Sequence, residues 1–271
     1  MTWELHTAGR SLHGVVRRMV GWRERGAPLR RLEPATTATP VILMLGPRIS
    51  IDGDPVGSFA AGPYLRPVVT EHDGEQEGIQ VDLEPLAARR LLGVPMSELA
   101  ERCVALEDLI GRDLTEWVAD APCWPGRFER VESALVRRLS DAAPVRGEMQ
   151  WAVGRLQASG GRVRVEDLAR ELGWSRRHLA VQFRDALGFT PKAMARVIRF
   201  EHTLDRVRAG ESLADVAYDA GYADQAHLNR DFREFSGLTP TEYVRRIEDS
   251  VVLGVPAAEV TIVQDGARAA A

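Results

Sequence analysis

The C-terminal third of this chain contains two copies of one helical pattern, 48–49 residues apart. The first copy runs from Val165 to Pro191 and the second from Ser212 to Pro240. Self-similarity at a fixed spacing constrains the fold more than any other feature of the chain. The residues that recur at matching positions are Ala169 and Ala217, Gly173 and Gly221, His178-Leu179 and His227-Leu228, Phe183 and Phe232, Gly188 and Gly237, and Thr190-Pro191 and Thr239-Pro240.

Each copy predicts a short helix, a turn that contains glycine, and a longer helix. In the first copy, Val165–Leu172 is the short supporting helix, Gly173 permits the sharp turn, and Ser175 caps the next helix. This order is typical of the helix-turn-helix, whose second helix lies in the major groove of DNA. The corresponding parts of the second copy are Ser212–Ala220, Gly221 and Asp224.

A long helix is predicted to connect the two copies. Thr190 caps it, Pro191 occupies its first turn, and it runs to about Arg208. At about 1.5 Å per residue this segment is about 29 Å long. Successive major-groove faces lie about 34 Å apart, so both recognition helices could contact one side of the duplex. Thr239 to Glu242 form a capping box that opens a last helix through Arg246.

The longer helix of the first copy divides into a core face and a polar face. Leu179, Phe183 and Leu187 recur every four residues and are expected in the core. Arginine pairs with guanine and glutamine with adenine, while small apolar residues can touch a thymine methyl. The predicted DNA-binding residues of this helix are Arg176, Arg177, Ala180, Val181, Gln182 and Arg184.

The longer helix of the second copy has the same division. Leu228, Phe232 and Phe235 are expected in the core, and Asp231 is expected to turn aside from DNA. Polar residues on a single helix could simply be solvated, but matching polar faces in both copies favour DNA contact. The predicted DNA-binding residues here are Gln225, Ala226, Asn229, Arg230 and Arg233.

The first 144 residues have a different pattern, which predicts an α+β protein. Residues 1–95 are β-rich and suggest a barrel or a sandwich; residues 96–144 are helical. Residues 145–248 form the all-α DNA-binding part, and residues 249–271 a tail with one strand-like piece and a frayed end. The expected strands are Val15–Glu24, which also fits a helix, Thr39–Pro47, Arg48–Gly53 and Gly78–Pro85; the expected helices are Ser97–Gly111 and Arg127–Leu139.

Composition excludes several other classes of protein. The chain has 271 residues, a net charge of −4 and only two cysteines, Cys103 and Cys123, which are expected to be buried thiols. Residues 1–144 carry −4 and residues 145–248 carry +2, so a few well-placed arginines must attract DNA. The six histidines lack metal-ligand spacing, and no apolar run is long enough for a membrane span. We expect a cytoplasmic protein without metal or cofactor.

The string Gly221–Arg245, GYADQAHLNRDFREFSGLTPTEYVR, together with Gly188–Pro191, GFTP, resembles the AraC/XylS family of transcription regulators. The resemblance covers about Val145–Arg246. It implies a DNA-binding domain of seven helices with two helix-turn-helix units. The chain departs from the family at Leu228, where an aromatic residue often stands. The first 144 residues resemble, more weakly, the sensor-type domains of such bacterial regulators.

Two functions from different classes follow. The first is a transcriptional regulator that binds double-stranded DNA and responds to a small-molecule effector in an apolar pocket, with Trp22, Met44 and Tyr64 as candidate lining residues. The two expected helices near residues 97–139 would couple the N-terminal part to the DNA-binding part or form a homodimer contact. A further possibility is that the N-terminal part only dimerises and binds no effector. The alternative is an enzyme, such as an alkyl-transfer repair protein, fused to a DNA-binding domain. It needs a reactive cysteine, and Cys123 has no basic neighbour, so we expect no enzyme.

Overall fold

The computed structural model describes the backbone of residues 2–6, 9–252 and 262–264, and the side chains of residues 9–246. In this part of the chain, ten strands and five α-helices come before seven further α-helices, and an eleventh strand follows them. The strands form two antiparallel sheets. The strands are β1 Thr2–His6, β2 Val16–Arg25, β3 Leu29–Glu33, β4 Thr39–Met44, β5 Ile49–Ile51, β6 Asp54–Val56, β7 Phe59–Ala61, β8 Val68–His72, β9 Glu75–Leu83, β10 Cys103–Ala105 and β11 Ile262–Gln264. The helices are α1 Pro85–Leu92, α2 Met96–Leu99, α3 Leu106–Ile110, α4 Asp113–Ala119, α5 Trp124–Asp141, α6 Gly147–Ala158, α7 Val165–Glu171, α8 Arg176–Leu187, α9 Pro191–Arg208, α10 Leu213–Asp219, α11 Gln225–Ser236 and α12 Pro240–Val252.

The two sheets form a sandwich and not a closed barrel. The first sheet has the strand order β1-β2-β9-β4-β7-β10, and the second β11-β3-β8-β5-β6, so the described strands leave both sheets open. Apolar side chains from both sheets share one core cluster, which includes Trp22, Ile42, Ile51 and Val68. The predicted α+β class is thus confirmed, and the sandwich is the correct one of the two β architectures.

The outer face of the first sheet is covered by helices. In β4, Ile42 faces the second sheet, whereas Val41 and Leu43 pack in a cluster with residues of α1 and α5. Successive side chains of a strand point to opposite faces, so a central strand between two apolar layers reads as a continuous apolar run. This explains the sequence TPVILM, which shows no polar alternation.

The expected helix Ser97–Gly111 is wrong. The chain there forms α2, then β10, then α3. Glu101 has a φ of 57°, which interrupts the helical backbone after α2. Cys103 then pairs with Ala61 of β7, because the free edge of the first sheet offers backbone hydrogen bonds that outweigh the local helical spacing. The segment Val15–Glu24 is the strand β2, and Arg127–Leu139 lies within α5, as predicted.

The seven helices α6–α12 share one core. Phe200 of the connecting helix α9 stands at its centre, with ring centroids 5.3 Å from Phe232 and 5.4 Å from Phe235 of α11. Gly188 and Gly237 end α8 and α11 with φ values of 71° and 77°, a left-handed conformation that glycine adopts without strain. The two helix-turn-helix units are therefore built from the same local signals, as the duplication predicts.

The sandwich packs directly on the helical part. α1 and α2 contact α8, where Arg89 forms an ion pair with Asp185. A Cβ at Gly188 would overlap Pro63, so the close approach there requires glycine. Residues 142–146 link α5 to α6, and the guanidinium of Arg90 donates to the carbonyl of Ala143 at 3.1 Å.

In the tail, β11 pairs antiparallel with β3 and Ile262 stands opposite Leu32. This strand lies within the strand-like piece expected there, Val260–Gly266, whereas the frayed end expected at residues 266–271 lies outside the described residues. Among the helices described, none combines the length and the apolar character that crossing a bilayer requires.

Candidate nucleic-acid interface and inter-sheet cavity

The first recognition helix, α8, is positioned by its cap and by its buried face. Ser175 accepts a hydrogen bond from the backbone N–H of His178 at 3.1 Å, which satisfies one of the free donors at the helix start. Leu179, Phe183 and Leu187 are buried, as predicted. The core therefore fixes which side of α8 faces solvent.

The solvent face of α8 carries Arg177, Val181 and Arg184, at the spacing i, i+4, i+7. Val181 is 51% exposed, which is unusual for a β-branched apolar residue outside an interface. Within the described residues, Arg177 and Arg184 make no ion pair, so both guanidinium groups are available to an anionic partner. Arg176, also exposed, pairs with Glu166 at 3.2 Å.

One residue of the predicted set lies off this face. Gln182 is five residues beyond Arg177, or about 140° around the helix, so the two side chains do not share a face. Ala180, three residues beyond Arg177, lies on the flank of the exposed face, and both Ala180 and Gln182 are half-buried.

The second recognition helix, α11, repeats this construction. Asp224 accepts a hydrogen bond from the backbone N–H of His227 at 2.6 Å, and Leu228, Phe232 and Phe235 are buried. The exposed predicted residues are Gln225, Ala226, Arg230 and Arg233, of which Ala226, Arg230 and Arg233 occupy the positions of Arg177, Val181 and Arg184 in α8.

Charge on α11 is concentrated at two arginines. Arg230 makes no ion pair in the described part of the chain, and Arg233 lies 3.7 Å from Glu242. Asn229 is half-buried, and its Oδ1 atom is buried without a hydrogen-bond partner among the described residues. Arg230 and Arg233 are thus the side chains of α11 most open to a polyanion.

Asp231 would repel phosphate if it were exposed, but the structure buries it. Its carboxylate accepts a hydrogen bond from Arg196 of α9 at 2.9 Å, and Arg196 also pairs with Glu234 at 2.6 Å. The hydrogen bonds that Arg196 donates to Glu234 and Asp231 raise the pKa of Arg196 against the opposing effect of burial. This cluster holds α11 on the connecting helix.

The connecting helix α9 contacts both recognition helices. α9 has 18 residues, or about 27 Å at about 1.5 Å per residue. Thr190 caps it by accepting from the N–H of Ala193 at 3.1 Å. The predicted capping box of α12 is present too, with Thr239 and Glu242 exchanging bonds of 2.8 and 3.3 Å.

A cavity of about 850 Å³ lies between the two sheets and reaches α9. Trp22 and Tyr64, two of the three predicted pocket residues, are in its wall. Met44 is buried in the same apolar cluster but does not line the cavity. Ile42, Phe59 and Val68, which the sequence did not single out, complete the apolar wall.

The polar wall contains a buried ionic cluster that sequence reasoning missed. Glu24 pairs with Arg31, accepts from Gln76 at 2.6 Å, and lies 3.2 Å from Nε2 of His72. Burial alone would raise the pKa of Glu24, but bonds from His72, Arg31 and Gln76 outweigh it and lower the pKa to about 2. In the sequence, Glu24, His72 and Gln76 each stand between two charged residues, so nothing local marks them as members of one buried cluster.

Residues 32–37, here called the contact segment, join the cavity to the second DNA-binding unit and to the connecting helix. Leu32 packs in the helical core beside Gly237. The N–H of Ala35 donates to the carbonyl of Phe235, at the end of α11, at 2.8 Å. Thr36 and Thr37 bind Glu201 of α9 with three hydrogen bonds of 2.7 to 2.9 Å. Most of this segment also lines the cavity.

The two cysteines lie in different surroundings. Cys103 is half-buried in the cavity wall beside Tyr64, and burial raises the pKa of its thiol. Cys123 was expected to be buried, but it is exposed at the start of α5. The described side chains contain no group of three or more His, Cys, Asp or Glu residues suited to a metal ion.

Comparison with known proteins gives the C-terminal part a family. Residues 168–246 match a family model described as a helix-turn-helix domain. The chain is 24% identical over 180 residues to a probable thc operon regulatory protein of Rhodococcus erythropolis, covering 63% of this chain and 53% of that protein. It is 33% identical over 66 residues to YbfI, an uncharacterized helix-turn-helix transcriptional regulator of Bacillus subtilis, covering 24% of each chain. The chain thus spans about half the length of the first relative and a quarter of the second.

A solved structure has the same fold over most of the chain. The apo form of a ToxT variant from Vibrio cholerae matches with a TM-score of 0.50 and 11% identity, covering 89% of this chain and 99% of that one. Its two-part arrangement agrees with a β-rich part followed by helix-turn-helix units. The family match over residues 168–246 and the paired recognition helices confirm the predicted resemblance: this part of the chain is a helix-turn-helix domain of the AraC type.

Proposed function

We propose that this protein is a sequence-specific transcriptional regulator that reads double-stranded DNA with α8 and α11 in successive major grooves. The observation that carries the proposal is the pair of equivalent exposed faces, Arg177–Val181–Arg184 and Ala226–Arg230–Arg233, on two helices that both contact α9. Such a regulator works where the DNA is, which in a bacterium is the cytoplasm.

The exposed residues divide by chemistry. Arg177, Arg184 and Arg230, which have no ion-pair partner among the described residues, would contact guanine edges or phosphates. Val181 and Ala226 would lie against thymine methyl groups. The other predicted contacts are subordinate: Arg176 must leave Glu166, Arg233 lies near Glu242, Gln225 stands at the helix start, and Ala180, Gln182 and Asn229 are half-buried.

The inter-sheet cavity is the proposed effector site, with Trp22 and Tyr64 in its wall. It has the size and the mixed lining of small-molecule pockets. An effector would act through the contact segment, because those residues touch the cavity on one side and α9 and α11 on the other. α2 gives a second route, since it packs on α8. A ligand that prefers one arrangement of these contacts changes the affinity for DNA.

The direct test is selection of bound sequences from a random duplex pool by the full-length protein. We expect enrichment of a motif with two short elements about 10 base pairs apart. Arg230→Ala should abolish the base preference in one element of the motif, and Arg184→Ala should weaken the base preference in the other element. Arg137→Ala, an exposed arginine of α5, is the matched control and should leave the motif unchanged.

Failure to enrich any motif, or equal loss with the Arg137 control, would contradict the proposal.

A homodimer remains a separate prediction: α4 and α5 expose Trp117 and Val136, and light scattering of the full chain would measure its mass. A monomer at high concentration would remove the dimer but not the DNA-reading role.

A further inference from the structure

The cations that line the cavity are already neutralised. Arg17 pairs with Glu84 and Glu201, both at 3.1 to 3.2 Å, and Arg18 pairs with Asp82 at 2.9 Å. Arg31 pairs with Glu24 within the buried cluster. The two remaining cavity arginines are Arg66, 2.8 Å from Asp52, and Arg208, 4.0 Å from Asp205. An anionic ligand would therefore compete with carboxylates that are in place.

One carboxyl group in the wall is different. Glu33 makes no ion pair within the described part of the chain, and its one hydrogen bond comes from the hydroxyl of Thr70 at 3.2 Å. Burial raises the pKa of Glu33, and the charge of Asp82 raises it further. The charges of Arg31 and Arg18 lower it, although neither arginine is within ion-pair distance. Among the carboxyl groups that line the cavity, Glu33 is thus the one without an ion-pair partner within the described residues.

The surface next to Glu33 is apolar and aromatic. Glu33 stands opposite Val68 in the β3–β8 register, and Val68 belongs to the cluster with Trp22 and Phe59. Tyr64 packs against the same cluster. Aromatic faces attract cations, and a carboxylate in a low-dielectric wall favours a cation that forms a hydrogen bond with it.

We propose that the cavity binds an amphipathic amine, with its ammonium group on Glu33 and its apolar body among Trp22, Phe59 and Val68. The proposal rests on the effector role proposed above for the cavity and specifies its ligand class. Glu33 lies inside the contact segment, between Leu32 and Ala35, so an ammonium group there binds at the residues that touch α11.

Isothermal titration of the full-length protein, without DNA, tests this with three probes of one shape: 4-phenylbutylamine, 4-phenylbutanol and 4-phenylbutyrate. We expect the amine to bind about tenfold more tightly than the alcohol, the effect of one charge-assisted hydrogen bond of about 1.4 kcal/mol, and the carboxylate to bind more weakly than either. In the Glu33→Gln variant, the affinity for the amine should fall to that for the alcohol, and the affinity for the alcohol should not change. Glu71→Gln, on β8 and already paired with Arg30, is the matched control.

Equal affinity for amine and alcohol, tighter binding of the carboxylate, or no binding of any probe at millimolar concentration would overturn the proposal. The comparison of probes on the unmodified protein holds even if the Glu33 variant does not fold. Because DNA is absent, failure of amine binding leaves the DNA-selection result standing, and failure of DNA selection leaves the amine result standing.

Discussion

Glu201 is the strongest single polar link between the sandwich and the connecting helix, and its removal should loosen that interface measurably. Its carboxylate accepts from Thr36 Oγ1 at 2.7 Å, Thr37 N at 2.9 Å and Thr37 Oγ1 at 2.7 Å, and pairs with Arg17 at 3.1 Å. Hydrogen bonds to a charged group each contribute about 1.5–3 kcal/mol when buried.

The expected total is smaller than a sum of these bonds. The Glu201 side chain is 23% exposed, the donors can rehydrate from the cavity, and Arg17 keeps Glu84 as a partner. We therefore expect Glu201→Ala to lower the free energy of unfolding by about 2–3 kcal/mol. If interface opening precedes unfolding, the amide of Thr37 should exchange its hydrogen about 30- to 100-fold faster, since about 1.4 kcal/mol corresponds to a factor of ten.

Urea unfolding and hydrogen exchange read these two effects separately. Glu201→Gln, which keeps one acceptor oxygen but loses the other and the charge, should have an intermediate effect. Asp205→Ala, on the same helix with a side chain 75% exposed, is the control and should change stability by less than about 0.5 kcal/mol. If Glu201→Ala behaves like the Asp205 control in both measurements, the sandwich is not held to α9 in the way described.

Three further changes test other parts of the account. Asp231→Ala should lower the free energy of unfolding by about 2–4 kcal/mol, because it leaves Arg196 partly buried beside one exposed acid; thermal unfolding that matches the unmodified protein would argue against that role. Ser175→Ala and Asp224→Ala should each cost about 1 kcal/mol through loss of a helix cap, and urea midpoints that do not shift would show that the caps are dispensable. The pKa of Glu24 is lowered from 4.5 to about 2, so its contribution to the free energy of unfolding is present above pH 4.5 and is lost as the pH falls towards 2. Glu24→Gln should therefore reduce the dependence of the free energy of unfolding on pH between 4.5 and 2. An unchanged dependence on pH in that range would contradict the assignment.

The DNA-binding units could be predicted from the sequence because their signals are local. Ser175 and Asp224 cap the recognition helices, glycines end them, and Leu179 and Leu228 face the core at helical spacing. Each signal acts within a few residues, and the duplication supplies every one of them twice. The sequence predicted that Asp231 turns aside from DNA, but not its ion pair with Arg196, because that contact joins α11 to a distant helix.

The sandwich was predicted less well for a physical reason. β3 and β8 present Arg31, Glu33 and Thr70 to a cavity, so the alternation that marks a strand has charged residues on its inner face. The strand β10 forms only because the edge strand β7 is there to pair with it. Sheet order, the cavity and the pairing of Glu24 with Arg31 are all contacts between distant segments, which periodicity does not report.

Hydroxyl-radical footprinting of the full-length protein on a duplex recovered by selection tests the central claim most directly. The account predicts two protected windows on one face of the helix, about 10 base pairs apart, because recognition helices in successive major grooves contact sites about one helical turn of DNA apart. Arg230→Ala should remove protection in one window and Arg184→Ala should weaken it in the other. A single window, or both windows lost together with either variant, would contradict the reading of DNA by two independent helix faces.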